Sequence, residues 1–248
     1  MQIVTNNKQN EKLMRKRTII IAGITYIFVT LVFGFTNKVE ASEPVSMMTE
    51  NYLNSFQIEV YTNSGKKLGS GFKVNGYEGY IVTNRHVVVD GEEFVTTYLD
   101  GKKYYLEVVD VSNNYDLAIL KFKFDEPSTG QPLNLCDDSN RSLDYPVYNI
   151  GHPSGNRYIF TRGYISGFKR DVPYFKTKSL FIHANLDNIY GGQSGSSLID
   201  TNKHCILGVL TGVGGNNLSY SIEVEALKSY LNAVKILQLS KKIINLAD

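Results

Sequence analysis

The sequence has few residues of the kinds that hold metals or nucleotides. It contains only four histidines in 248 residues. Three of them, His152, His183 and His204, are scattered and lack the spacing of a helical zinc motif, so the sequence predicts no metal site. The glycine-rich stretch 212–215 is not followed by a Lys-Ser/Thr pair opening a helix, which argues against a phosphate loop. We therefore expect no cofactor and no metal.

The body of the chain also lacks an excess of positive charge. Six of the 26 basic residues and two of the 24 acidic ones precede Ser42, which leaves 20 basic and 22 acidic residues from Ser42 onward. A protein that binds nucleic acid without regard to sequence needs a basic surface to displace counterions from the phosphates. The composition therefore excludes nucleic acid as an expected partner.

Cysteine is scarce as well. Cys136 and Cys205 are the two cysteines of the chain and lie far apart in the sequence. In an exported protein such a pair could form one disulfide bond. Two separately buried thiols, packed as small apolar side chains, are an equally good interpretation. The sequence leaves the pairing open.

A long uncharged run occurs only near the N-terminus, at residues 18–35, directly after the basic stretch 12–17. A helix of that length spans roughly 27 Å, close to the hydrocarbon thickness, so it could be a cleaved signal peptide or a retained membrane anchor. The small-x-small pattern at 39–41 favours cleavage after Ala41. We expect a secreted, extracellular protein, with a membrane-anchored form as the alternative. Contact with the membrane is expected only through this segment.

From residue 52 the sequence is typical of an all-β fold. Short runs rich in β-branched and aromatic residues alternate with turn signals such as Asn75-Gly76 and Asp100-Gly101. The pattern predicts one strand set at 52–124, a linker at 125–145 and a second strand set at 146–222. Apolar residues at helical spacing then predict an amphipathic helix at 223–247 that packs on the body, with partner binding as the alternative.

Three short blocks carry residues suited to acyl transfer. The TNRHVV block holds His86, the NYDLAIL block holds Asp116, and the GGQSGS block holds Ser194 in a glycine-rich turn. A serine hydroxyl loses its proton as it attacks a carbonyl, so it needs a base, a group that orients the base, and donors for the oxyanion. The three blocks together supply these parts.

In these blocks, and in their order of His, Asp and Ser, residues 56–221 resemble the trypsin-like serine peptidases, in particular the bacterial HtrA-type and glutamyl-endopeptidase-type branches. The GSGF stretch at 69–72 and the IGHPSG stretch at 150–155 match further parts of that family. The resemblance implies a chymotrypsin-like fold, with two six-stranded antiparallel β-barrels and a C-terminal α-helix. It also implies a serine endopeptidase domain at 42–248 that acts on protein or peptide substrates. No PDZ module is expected, since few residues follow the predicted helix.

The resemblance assigns roles to individual residues. His86 would be the general base, Asp116 would orient it, and Ser194 would be the nucleophile. The backbone N–H groups of Gly192 and Ser194 would form the oxyanion hole. A shift in the match would place a neighbouring residue such as Asp110 at the position of the acid.

The sequence departs from the family at two places that bear on specificity and activation. Gln193 stands where animal enzymes carry the aspartate that pairs with a newly cut N-terminus, so no such activation switch is expected. Residues 208–210 lack the G-x-H pattern of the glutamyl-specific branch, which argues against an acidic preference. The resemblance places four residues around an uncharged substrate pocket: Asn188, Leu210, Thr211 and Val213.

Two other interpretations remain open at this stage. A protease-fold binding or adhesion protein without catalysis is the main alternative, although inactive relatives usually lack a triad member. An esterase of the α/β-hydrolase kind would carry its serine between a strand and a helix, with the histidine last in the chain, and this sequence has neither feature. The sequence does not specify an oligomeric state.

Overall fold

The computed structural model describes residues 49–77, 79–169, 180–215 and 217–247. The predicted signal peptide or anchor at 1–41 lies outside the described residues, as do residues 42–48. Within the described ranges, no helix combines the length and the apolar character needed to cross a bilayer.

Six antiparallel strands close into a first barrel. They are β1 (Ser55–Thr62), β2 (Gly65–Lys73), β3 (Ile81–Thr83), β4 (Glu93–Thr97), β5 (Lys103–Val111) and β6 (Ala118–Phe122), in the spatial order β1-β2-β3-β6-β5-β4. Strand β1 pairs with both β2 and β4, which closes the barrel. The one-turn helix α1 (Arg85–Val88) follows β3.

A second barrel repeats this architecture. Its strands are β7 (Pro146–Gly151), β8 (Ile159–Lys169), β9 (Phe181–Leu186), β10 (Ser197–Asp200), β11 (Ile206–Val213) and β12 (Leu218–Glu223), in the order β10-β11-β12-β9-β8-β7. A 3₁₀ turn at Pro153–Gly155 joins β7 to β8, and the chain continues into helix α2 (Val224–Ala247). The prediction of two six-stranded antiparallel barrels and a C-terminal helix is confirmed.

Each barrel has a hydrophobic core of its own, and a third apolar cluster joins the two barrels. The core of the first barrel includes Phe56, Ile58 and Leu120, and that of the second includes Ile165, Ile182 and Leu207. The joining cluster includes Leu117 of the first barrel, Tyr148 and Val209 of the second, and Leu227 of α2. Full burial of one such side chain contributes roughly 1.5–3 kcal/mol to stability. The barrels are therefore packed against each other through apolar contacts, with a cleft between them.

A disulfide bond fastens the linker to the second barrel. Cys136 and Cys205 are bonded, with their Cα atoms 4.9 Å apart and a separation of 69 positions in the sequence. Leu135 forms a parallel bridge with Ile206 beside the bond. The pairing that the sequence left open is therefore formed in the structure.

Helix α2 packs with its first half on the barrels and reaches the first of them. The Tyr230 hydroxyl donates a 2.8 Å hydrogen bond to Oδ2 of Asp110 on β5, and the Tyr77 hydroxyl donates a 2.7 Å bond to Oδ1 of Asn232. Burial, followed by the bond to Asp110, raises the pKa of Tyr230 above its ordinary value. The helix thus contacts both barrels, although it follows the second in the chain.

Candidate active site

His86 and Asp116 are brought together by the pairing of β3 with β6. Thr83 at the end of β3 lies opposite Ala118 at the start of β6, so the segments that extend from these two strand ends lie side by side. Nδ1 of His86 is 2.7 Å from Oδ2 of Asp116, and the His86 backbone N–H donates a 2.9 Å bond to Oδ1. The carboxylate is buried, whereas the imidazole side chain is 46% exposed. The ring is held at one nitrogen and open to the cleft elsewhere.

The second barrel also contributes a donor to Asp116. The Thr211 hydroxyl of the second barrel donates a hydrogen bond to Oδ2. From the first barrel, the Asn84 side-chain amide donates a 2.9 Å bond to the backbone carbonyl of Asp116. When Nδ1 of His86 donates to the carboxylate, Nε2 is left as the acceptor, as a general base requires. Asp110, which a shifted match would have made the acid, is bonded to Tyr230 instead.

Ser194 lies in the turn before β10, against the first barrel. Its carbonyl accepts a 2.8 Å hydrogen bond from the Ser70 backbone N–H. The next residue, Gly195, has φ +88°, and a Cβ added there would lie 2.1 Å from the Ser70 carbonyl and 3.2 Å from the Asn84 nitrogen. Only glycine fits such a position. Gly195, the residue after Ser194, therefore lies against Asn84, and His86 follows Asn84 by two residues in the chain.

The Ser194 hydroxyl makes no hydrogen bond to any other described residue. The bond from a catalytic serine to its base is often long in a ligand-free site and shortens when substrate binds. The candidate base, His86, is already oriented by Asp116, whereas the hydroxyl of the candidate nucleophile is not held by another described side chain.

The turn before Ser194 presents two backbone N–H groups, those of Gly192 and Ser194. Gly192 has φ +97°, and the carbonyl of Gly191 accepts a 2.8 Å hydrogen bond from the Ser154 N–H. Because the C=O and N–H of one peptide point in opposite directions, this bond turns the Gly192 N–H away from Ser154. Within the described parts of the chain, neither N–H has an acceptor, as expected of an oxyanion hole awaiting substrate.

Gln193 stabilises this turn from inside the protein. The side chain is fully buried, and its Oε1 accepts a 2.9 Å hydrogen bond from the Tyr190 N–H. The Gln193 carbonyl accepts from both the N–H and the hydroxyl of Ser196, at 3.0 and 2.6 Å. A neutral amide therefore closes the turn through contacts within the loop.

His152 supports the turn from beneath. It is fully buried, and its Nδ1 accepts a 3.1 Å hydrogen bond from the Tyr158 N–H. Burial, followed by the nearby charge of Arg157, lowers the pKa of His152 to about 3. A Cβ at Gly192 would lie 2.7 Å from the His152 carbonyl. The imidazole is therefore a neutral packing element at neutral pH.

The four residues predicted to line a substrate pocket have different surroundings. Asn188 is exposed beside a cavity of about 280 Å³ that Tyr190 also lines, and Val213 is 48% exposed. Leu210 packs in the core of the second barrel, and Thr211 is buried with its hydroxyl on Asp116. Asn188 and Val213 are the two of these four residues that are exposed.

One cluster among the described residues has ligand atoms close enough for a metal. Atoms of Cys136, Asp200 and Cys205 lie within 4.8 Å of one another. The two sulfurs form the disulfide bond, and the Asp200 carboxylate accepts a 2.7 Å hydrogen bond from Arg141. The cluster offers no thiolate, so it does not fit a metal ion.

Two closed barrels with a histidine, a carboxylate and a serine in the cleft between them define the chymotrypsin-like class of fold. Solved structures share it. An HtrA-type protease, AlgW with a tripeptide, superposes with a TM-score of 0.68 at 21% identity, covering 77% of this chain and 63% of that one. The active form of the Rv3671c protease from M. tuberculosis gives a TM-score of 0.66 at 22% identity over 80% of this chain and 87% of that one. At these identities the likeness establishes the fold alone.

Sequence comparison gives the family. Residues 69–209 match the trypsin-like peptidase domain, and the chain belongs to that family. It is 31% identical over 154 residues to the periplasmic serine endoprotease DegP of Salmonella typhimurium, covering 60% of this chain and 31% of that protein. It is 34% identical over 114 residues to an HtrA-like serine protease of Staphylococcus epidermidis, covering 44% of this chain and 19% of that protein. The chain thus matches about a third or less of the length of these curated relatives.

Proposed function

We propose that the chain is an exported serine endopeptidase that hydrolyses peptide bonds through an acyl-enzyme. The observation that carries the proposal is the 2.7 Å contact between His86 Nδ1 and Asp116 Oδ2 beside the turn that holds Ser194. Membership of the trypsin-like peptidase family supports the same chemistry.

In the first half of the reaction, Ser194 Oγ attacks the carbonyl carbon of the scissile bond and its proton passes to Nε2 of His86. The negative charge that develops on the carbonyl oxygen is stabilised by the N–H groups of Gly192 and Ser194. The C–N bond then breaks, the amine leaves with the proton from His86, and an ester to Ser194 remains.

In the second half, water takes the place of the amine. As the water attacks the ester carbonyl, His86 accepts a proton from it. His86 then donates this proton to Ser194 Oγ when the C–O bond of the ester breaks. The product is a free carboxyl group, and the serine is regenerated. Asp116 stabilises the imidazolium that forms in both halves.

The proposed substrates are proteins or peptides with an uncharged side chain at the cleaved position. Asn188 and Val213 carry no charge and are the exposed members of the predicted pocket. Two relatives are named periplasmic or HtrA-like, and AlgW was solved with a tripeptide. These names support an exported enzyme that binds peptides.

Labelling with a fluorophosphonate tests the proposal, because the reagent detects an activated serine without knowledge of the substrate. The purified protein should be labelled, Ser194→Ala and His86→Ala should not, and Ser64→Ala should be labelled like the wild type. Ser64 is a matched control because it is an exposed serine in the β1–β2 turn. A folded wild-type protein that is not labelled would favour the alternative, a binding protein with a peptidase fold.

A further inference from the structure

Ser70 on β2 connects the first barrel to the turn that holds the candidate nucleophile. Its hydroxyl donates a 2.8 Å hydrogen bond to the Gly192 carbonyl and accepts a 3.1 Å bond from the His152 N–H. Its backbone N–H donates to the Ser194 carbonyl at 2.8 Å. Ser70 is fully buried. One residue of the first barrel therefore holds two carbonyls of the turn in the second.

The Gly192 carbonyl differs from its neighbours in how it is held. All four carbonyls of residues 191–194 accept hydrogen bonds. Three of them accept from backbone N–H groups, those of Ser154, Ser196 and Ser70. The Gly192 carbonyl accepts from the side chain of Ser70. A single substitution can therefore remove its donor.

Glycine makes this bond important for the geometry of the turn. Gly192 has φ +97°, and without a Cβ its flanking peptides can rotate at low cost. One of these peptides carries the Gly192 N–H, and the other carries the carbonyl that Ser70 holds. The bond from the Ser154 N–H holds the first of these peptides, and the Ser70 bond holds the second. With both flanking peptides held, rotation at Gly192 is restricted and so is the direction of its N–H.

We propose that the Ser70 hydroxyl is a positioning group for the oxyanion hole. It keeps the Gly192 carbonyl directed into the protein, so that the Gly192 N–H stays directed at the cleft. The proposal rests on the proposed serine-peptidase function. Ser70 acts through Gly192 and touches no reacting atom.

Loss of the hydroxyl should affect the reaction step more than binding. In Ser70→Ala, the Gly192 carbonyl and the His152 N–H both lose a buried partner, which favours rearrangement of the turn. A donor aimed at the developing oxyanion acts in the transition state and contributes little to ground-state affinity. Deleting one such donor outright costs about 10²–10³ in rate, so misalignment should cost about 10- to 100-fold.

The experiment measures the rate constant and the apparent affinity of fluorophosphonate inactivation separately, in the full chain. Ser70→Ala should lower the inactivation rate constant about 10- to 100-fold and change the apparent affinity less than about twofold. Ser70→Cys, which replaces the hydroxyl with a larger thiol that is a weak donor, should fall between Ala and the wild type. If Ser70→Ala does not fold, the rate constant of Ser70→Cys tests the proposal in its place.

Ser55→Ala is the matched control. The Ser55 hydroxyl is buried and also crosses between the barrels, donating a 3.2 Å bond to the Ile150 carbonyl, but it does not touch the turn. Its rate constant should stay within about twofold of the wild type, because the oxyanion donors are undisturbed. Circular dichroism and thermal melting establish that each variant is folded.

Two results would overturn the proposal. One is an inactivation rate constant of folded Ser70→Ala equal to that of the wild type. The other is an equal loss in Ser55→Ala, which would assign the effect to general contact between the barrels. Both leave the proposed function intact, since that function fails only if the wild type itself is not labelled at Ser194.

Discussion

The Thr211 hydroxyl donates to Oδ2 of Asp116, the same oxygen that lies 2.7 Å from Nδ1 of His86. Thr211 belongs to β11 of the second barrel, whereas His86 and Asp116 belong to the first. The orientation of the carboxylate therefore depends on both barrels, and the candidate site is formed only when they are assembled.

Thr211→Val removes the hydroxyl and should slow fluorophosphonate labelling about 10- to 100-fold. The reason is that a hydrogen bond to a charged group contributes about 1.5–3 kcal/mol, and each 1.36 kcal/mol in the activation free energy corresponds to a factor of about ten in rate. Thr211→Ser retains the hydroxyl and should label at close to the wild-type rate. Equal rates for Val and Ser would show that the hydroxyl does not orient Asp116.

Asp116→Asn should reduce the labelling rate by about 10⁴, the loss known for the corresponding change in a chymotrypsin-type triad. The reason is that an amide favours the wrong tautomer of His86. The control is Asp110→Asn, which removes the negative charge beside the Tyr230 hydroxyl and should leave the labelling rate within about threefold of the wild type, since it is outside the site. If Asp110→Asn slowed labelling more than Asp116→Asn, the acid of the site would be Asp110.

Stability should fall in mild acid because of His152. The unfolded chain protonates this imidazole near pH 6.5, whereas the folded protein does so only near pH 3. Between these values the unfolded state binds more protons, so the free energy of unfolding decreases as the pH falls. At pH 5 this effect of His152 should lower the free energy of unfolding by about 2 kcal/mol relative to neutral pH.

Urea unfolding at pH 7 and pH 5 measures this effect. His152→Asn keeps an acceptor near the position of Nδ1 and cannot be protonated, so its free energy of unfolding should change less between the two pH values. An identical change in His152→Asn and the wild type would contradict the assignment and indicate that other groups cause the acid sensitivity.

Removing the disulfide bond should destabilise the fold. The bond joins Cys136 and Cys205, which are 69 positions apart in the sequence, and loop-closure entropy predicts a contribution of about 4 kcal/mol for a loop of that size. Cys136→Ser with Cys205→Ser should lower the free energy of unfolding by about 2–4 kcal/mol in urea. The reducing agent dithiothreitol should lower the free energy of unfolding of the wild type by a similar amount and leave that of the double variant unchanged. If the free energy of unfolding of the wild type stays the same even when dithiothreitol is added to the unfolded protein, the disulfide bond is not formed.

Local patterns in the sequence were enough for the fold class and for the candidate triad. Strand alternation and Asn-Gly or Asp-Gly turns are read within a few residues, and each triad block is contiguous. His86 and Asp116 come together because the strands beside them pair, which follows once the barrel is recognised. The resemblance to a family then supplied the roles.

Contacts between the barrels could not be predicted in this way. The bond from Thr211 to Asp116 joins residues 95 apart, and that from Ser70 to Gly192 joins residues 122 apart. The pairing of β11 with β12 also shifts register between Leu210 and Gly212, which changes the face that each side chain occupies. Leu210 and Thr211, expected at the pocket, instead face the core of the second barrel and Asp116.

Helix α2 bears on the order in which the molecule assembles. Tyr230 and Asn232 bond to the first barrel, yet they are synthesised after the whole of the second. These contacts cannot form on a nascent chain until both barrels have emerged. Docking of the helix therefore follows the folding of the second barrel, and the bonds of Tyr230 and Asn232 mark a stage at which both barrels are already in place.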